Sequence, residues 1–148
     1  IYRHIFTITL VFFIYSCGYT AIYKDNNIND YNIIISKMSG DIIMNKLIKN
    51  ELEIFSNTNS KNNYYVKLNS IYSKEIKSKD NSGIASNYEI TVEARFDIVS
   101  EIITFEEKFI VKNISDTIEQ KNYEDIIKKN FASSIREKLV TRLLSLQW

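Results

Sequence analysis

The chain's single cysteine, Cys17, has the neighbours expected of a modification site. It follows Ile14-Tyr15-Ser16 and precedes Gly18. An aliphatic residue three positions before the cysteine and a small residue directly before it match the bacterial lipobox. In a lipobox the cysteine sulfur is diacylated, the chain is cut before the cysteine, and the new amine is acylated. We therefore predict lipid attachment at Cys17; the alternative is a buried thiol in an apolar helix.

The segment before Cys17 supports lipid attachment. An apolar run from Ile5 to Tyr15 follows Arg3 and His4. As a helix this run would span about 16 Å, roughly half of a bilayer's hydrocarbon thickness. It is too short to cross a membrane and is typical of the apolar region of a signal peptide. We predict a signal peptide over residues 1–16, a lipidated cysteine with an Asn-rich tether over 17–30, and one domain over 31–148.

Few residues of the predicted mature chain could perform catalysis. The one histidine, His4, lies in the predicted signal peptide, which argues against ordinary acid–base chemistry. One cysteine and one histidine leave no zinc-binding cluster, and no phosphate-binding or nucleophile motif is present. A net charge of +1 gives no basic field for nucleic acid. We expect a protein that is not an enzyme, with no cofactor, no metal and no nucleic-acid partner.

Apolar periodicity predicts six elements in the order β-α-β-β-β-α. Residues 31–36 form a short β-prone run, and helical spacing of apolar residues follows over about 41–55. A second strand is predicted from Tyr64 to about Lys77, and strict alternation over 87–98 predicts a strand with one buried face. A fourth strand and a long C-terminal helix complete the pattern. The apolar positions assigned to the two helices include Ile43, Phe55, Tyr123 and Ile126, whereas Lys128, Lys129 and Arg136 are assigned to the wet face of the second helix.

This order predicts an α+β fold. A four-stranded, mainly antiparallel sheet with two helices on one face would cover every apolar stripe. The polar side chains of the strand over 87–98 would then remain in water on the other face.

Three passages of the mature chain resemble the LptE family of lipopolysaccharide-assembly lipoproteins. Cys17-Gly18-Tyr19 is similar to the family's start after the anchor, and the stretch from Ser82 to Ile90 is similar to its central hairpin. Tyr123-Glu124-Asp125, with Phe131-Ala132 and the Leu-rich C-terminal helix, is similar to its ending. The resemblance implies a lipoprotein on the periplasmic side of the outer membrane. There it would plug the LptD β-barrel, help it to assemble, and aid lipopolysaccharide insertion into the outer leaflet.

Cations next to apolar surface would suit lipopolysaccharide, which is anionic and amphipathic. We predict Lys74, Lys77 and Lys79 at the hairpin end, and Arg95 on the polar strand face, as contacts; the plainer interpretation is that these side chains are only solvated or guard a sheet edge. Exposed tyrosines among Tyr64, Tyr65, Tyr72 and Tyr88 could line a polar contact, although a place in the core is favoured for most. The alternative function is a free-standing lipoprotein that binds a lipid or envelope ligand in an apolar cavity.

Overall fold

A computed structural model of the chain describes residues 31–98 and 101–145. The predicted signal peptide, Cys17 and the tether therefore lie outside the described residues. Six elements follow one another in the predicted order: β1 Asn32–Gly40, α1 Ile42–Phe55, β2 Asn63–Lys79, β3 Ala85–Ile98, β4 Glu101–Lys112 and α2 Thr117–Ser145.

The four strands form one mixed sheet in the order β1-β2-β3-β4. β1 pairs with β2 in parallel, with a register shift between Ile35 and Lys37. β2, β3 and β4 pair antiparallel, which confirms the α+β fold with a mainly antiparallel sheet. The parallel pair is possible because α1 provides the long crossover that parallel neighbours need.

Alternation along the strands places the core on one face of the sheet. Val66 and Leu68 of β2, and Ile90, Val92 and Phe96 of β3, are completely or almost completely buried. Both helices contribute to this same core, so they cover one face, as predicted. Their buried apolar side chains are Met44, Ile48 and Leu52 of α1 and Ile127, Phe131, Ala132, Ile135, Leu139 and Leu143 of α2.

A tight junction joins β1 to α1. Asp41 caps the helix, because its carboxylate accepts a hydrogen bond from the Met44 amide at 2.7 Å. Gly40 has φ +87°, and a Cβ at this position would lie 1.9 Å from the carbonyl oxygen of Ser70. The Ser70 hydroxyl, fully buried, donates to Asn45 at 2.9 Å, so a polar contact ties β2 to the first turn of α1.

Four of the predicted apolar helix positions are wrong. Ile43 and Ile126 are 57% and 54% exposed, and Phe55 and Tyr123 are also exposed. The buried side of each helix is therefore narrower than its apolar sequence pattern suggests: Met44, Ile48 and Leu52 on α1 and Ile127, Phe131 and Ile135 on α2 are buried, while their apolar neighbours remain at the surface.

Candidate functional site

The sheet face opposite the helices has no covering layer among the described residues. Its side chains come from the alternate positions of β2, β3 and β4, including Glu93 and Arg95, which are exposed. Apolar side chains are scattered among the charges: Tyr65 is 58%, Ile71 54% and Ile102 56% exposed. We call this surface the open face. Its mixture of charged, aliphatic and tyrosine side chains suits a wet protein contact more than an apolar ligand.

The β2–β3 hairpin extends beyond the core. No residue from 74 to 84 is buried. Asp80 organises the turn, because its Oδ1 accepts from the amides of Ser82 at 2.8 Å and Ile84 at 2.9 Å. Gly83 supplies the positive φ of +81° that the turn requires. β4 pairs with β3 as far as Asn87, so only the turn stands clear of the sheet; we call this exposed hairpin end, with its hydrogen-bonded tip, the projection.

Two of the predicted cations lie on this projection. Lys77 pairs with Glu89 of the facing strand at 3.0 Å and keeps 52% of its side chain exposed. Lys79, the last residue of β2, is exposed and forms no ion pair with any described residue. An exposed pair of this kind contributes little to stability, so Lys77 can exchange its partner at low cost. Both lysines are accessible to an anion.

Lys74 is held differently from Lys77 and Lys79. It lies opposite Ile90 on the helix side of the sheet, where its Nζ contacts Glu124 of α2 at 2.5 Å. The same ammonium lies 4.2 Å from the centre of the Tyr88 ring. Side-chain exposure is 28% for Lys74 and 14% for Glu124, so a ligand would have to displace a shielded ion pair. The structure thus separates Lys74 from the two tip lysines.

Glu124 is the centre of a small polar network between β2 and α2. Burial acts to raise the pKa of its carboxyl, but hydrogen bonds from Lys74 and Gln120 and the nearby charges of Lys74 and Lys128 lower that pKa overall. Burial, and then the charge of Glu124 with those of two aspartates, raises the pKa of Tyr72 to about 12. The Glu124 carboxylate therefore remains ionised and Tyr72 remains neutral at physiological pH. We call the ion pair between Lys74 of β2 and Glu124 of α2 the clamp.

Arg95 points from the middle of the open face. Its cross-strand neighbours are Asn69 on β2 and Thr104 on β4, both uncharged. Arg95 is exposed and has no ion pair within the described part of the chain. An exposed guanidinium of this kind can bind a carboxylate or a phosphate through two parallel hydrogen bonds.

The four tyrosines divide between core and surface. Tyr64 and Tyr72 pack against the core, as the plainer interpretation held. Tyr65 lies on the open face, and Tyr88 is half-buried with the Lys74 ammonium over its ring. Tyr65 is therefore the tyrosine best placed to contact a partner.

Two residues assigned to the wet face of the second helix are in fact packed, so that prediction was wrong. Lys128 and Arg136 each expose 14% of their side chains. Lys128 lies 4.7 Å from the centre of the Tyr72 ring, and Arg136 lies 4.0 Å from that of Phe55. Their long aliphatic stems pack on apolar surface while their charged groups are attracted to the ring faces, so both side chains cover the borders of α2 with its neighbours.

Two grooves border α1 in the described part of the chain. A groove of about 550 Å³ runs between β1 and the C-terminal half of α1, beside Ile33, Ile35 and Leu52. A second, about 390 Å³, lies at the other end of α1, where Met38 and Ile42 are flanked by Lys46 and Lys49. Both grooves are open to solvent, unlike the enclosed pockets typical of small-ligand carriers.

The described residues contain no group of three or more histidine, cysteine or acidic side chains that could hold a metal ion. Neither of their helices is long and apolar enough to cross a membrane.

The fold is that of a known bacterial lipoprotein structure. The crystal structure of the rare lipoprotein B from Shewanella oneidensis matches with a TM-score of 0.53 and 14% identity, over 78% of this chain and 96% of that one. A minor lipoprotein from Acinetobacter baumannii gives a TM-score of 0.48 and 12% identity, over 72% and 93%. No protein-family model and no curated protein matches the sequence. At 14% identity the match establishes a shared fold.

Proposed function

We propose that the protein is a lipoprotein held on the periplasmic side of the outer membrane through Cys17. There it acts as a structural partner of an LptD-type β-barrel, which it plugs and helps to assemble, and it aids lipopolysaccharide insertion. The observation that carries this proposal is the exposed β2–β3 hairpin beside an uncovered, mixed-charge sheet face. The lipobox around Cys17, the sequence resemblance to LptE and the fold shared with rare lipoprotein B support it.

Within this proposal the tip lysines and Arg95 have separate roles. Lys77 and Lys79 would meet anionic groups of lipopolysaccharide at the end of the projection, because their ammonium groups are accessible there. Arg95 would contact the barrel wall or a sugar phosphate from the open face. Lys74 would hold α2 against the hairpin through Glu124 and keep the projection rigid.

The second candidate is a lipoprotein that binds a lipid without a barrel. The groove beside Met38 and Ile42 favours it, because an acyl chain could lie on this apolar floor with its acidic group near Lys46 and Lys49. The two candidate functions make different predictions. Partnership with a barrel needs the hairpin and the open face, whereas lipid binding in the groove needs neither.

Co-purification from outer membranes distinguishes the two functions. The tagged full chain, with its own signal segment, is solubilised in mild detergent, and the recovered proteins and lipids are identified by mass spectrometry. A large β-barrel protein in stoichiometric amount, retained by the Lys46→Ala/Lys49→Ala variant, supports the plug. A lipidated chain recovered alone, with lipid that the same variant loses, supports the carrier and contradicts the plug.

A further inference from the structure

The two edges of the sheet differ in how their backbone groups are satisfied. At the β1 edge, the Ser56 hydroxyl accepts from the Ile33 amide at 2.8 Å, and the Asn57 amide donates to the Tyr31 carbonyl at 3.0 Å. The register shift after Ile35 further interrupts this edge. A capped and irregular edge strand resists pairing with another strand.

The β4 edge has no such protection from the described residues. The Asn113 amide donates to the Ser86 carbonyl at 2.9 Å, so this pair is of the hydrogen-bonded kind. Because hydrogen-bonded pairs alternate along an antiparallel ladder, the odd residues of β4 bond to β3. The amides and carbonyls of the even residues from Ile102 to Lys112 therefore point outward, and no described residue bonds to them.

The charges along this edge are complementary to themselves. Glu106 and Lys108 lie two residues apart near the middle of β4 and form an ion pair at 2.6 Å on the open face. If a second β4 pairs antiparallel about a twofold axis at Glu107, each Glu106 lies opposite the other copy's Lys108. Four charges then alternate around a square. A shift of two residues in either direction would place Glu106 opposite Glu106, or Lys108 opposite Lys108, which is unfavourable.

The same register uses the full strand and brings aromatic rings together. Thr104 lies opposite Ile110 of the second copy on the open face, while Phe105 lies opposite its Phe109 on the helix side. Phe109 is 43% exposed and would be covered by this pairing, which aromatic cross-strand neighbours favour. Glu107 meets its own copy at the axis, where Lys138 of the same chain, 2.6 Å away, balances its charge.

We infer that β4 is a docking edge for a second copy of this chain, joined by antiparallel β4–β4 pairing in the register that sets Glu106 against Lys108. The product would be a continuous eight-stranded sheet with all four helices on one face. This inference is independent of the proposed function, since it rests on the edge alone.

Photo-cross-linking of the purified full chain in mild detergent tests the pairing. Two differently tagged copies are mixed, with a photoreactive amino acid at Thr104, and the matched control carries it at Lys37 on the β1 edge. We expect an intermolecular adduct from position 104 that mass spectrometry maps near Ile110 of the other copy. No adduct above the Lys37 control, or adducts that map outside β4, would overturn the inference.

Charge reversal tests the register. Glu106→Lys and Lys108→Glu each place like charges opposite one another twice, so each should reduce the adduct yield about tenfold. The double variant Glu106→Lys/Lys108→Glu restores opposite charges and should restore the yield to the wild-type level. Circular dichroism identifies any variant that has not folded, and the double variant provides a folded comparison. Equal yields from the single and double variants would contradict the assigned register.

Discussion

Whether a surface lysine is a ligand contact depends on its partners, and the three hairpin lysines illustrate this. Lys79 is exposed and Lys77 is exposed beside Glu89 of the facing strand, whereas Lys74 lies on the helix side of the same strand with Glu124. Sequence spacing alone groups the three together because they lie close in the chain. The Glu124 contact joins residues fifty positions apart, and no local pattern contains it.

We expect Glu124→Gln to destabilise the fold. The substitution removes the charge that pairs with Lys74 and leaves the shielded ammonium without its counter-ion, which costs about 1 to 2 kcal/mol of unfolding free energy. Urea unfolding at neutral pH measures the loss. Glu93→Gln on the open face is the matched control, and we expect it to change the unfolding free energy by less than about 0.5 kcal/mol. Equal effects of the two substitutions would contradict the clamp.

The same clamp should be sensitive to acid. The pKa of Glu124 in the folded chain is lower than its ordinary value of 4.5, so the ionised carboxylate favours the folded state. Its contribution is complete above that ordinary value and disappears as the pH falls through the lowered folded-state pKa. The stability difference between wild type and Glu124→Gln should therefore be constant near neutral pH and shrink below about pH 4.5, as thermal unfolding across a pH series would show. A stability difference that grows as the pH falls would contradict the stabilising role assigned to the ionised Glu124 carboxylate.

At the level of elements, the sequence predicted each helix and strand of the described residues. Helical spacing of apolar residues predicted α1 and α2 and strict alternation predicted β3, whereas β1 was predicted from a short β-prone run and continues to Gly40, beyond the predicted end at residue 36. The bounds of α1 and the alternation of β3 were predicted closely. The side chains around the helices were predicted less well. Arg136 packs on Phe55 of α1 and Lys128 on Tyr72 of β2, while Ile126 is exposed. These contacts join α2 to distant parts of the chain, so a single helical pattern does not contain them.

The two glycines with positive φ provide a prediction at this scale. Gly40→Ala should destabilise the fold by at least about 3 kcal/mol, since it combines backbone strain with a Cβ placed against the Ser70 carbonyl. Gly83→Ala meets nothing within 4 Å and should cost about 1 kcal/mol from strain alone. Chemical denaturation of both variants gives the comparison. Similar losses for the two would show that the β1–α1 junction can relax.

At the scale of the whole molecule, the proposed lipid anchor would hold a folded domain whose hairpin end and open face are uncovered by the described residues. Cys17 lies outside the described residues, so its role rests on the lipobox and remains a prediction. Cys17→Ala should abolish incorporation of a labelled fatty acid and move the protein out of the membrane fraction, because buried acyl chains contribute about 0.8 kcal/mol of membrane affinity per methylene. Continued labelling of the Cys17→Ala variant would exclude this cysteine as the attachment site.

The most direct test of the central claim is a photo-cross-link from the hairpin tip in intact Gram-negative cells. A photoreactive amino acid replaces Ile84, which is 61% exposed in the turn after β2, in the full chain with its own signal segment. We predict a light-dependent adduct with a large outer-membrane β-barrel protein, whose electrophoretic mobility changes on heating as a folded barrel unfolds. Adducts with lipid alone, or adducts with other proteins but with none of the barrel class, would contradict the proposal that this chain works inside a barrel.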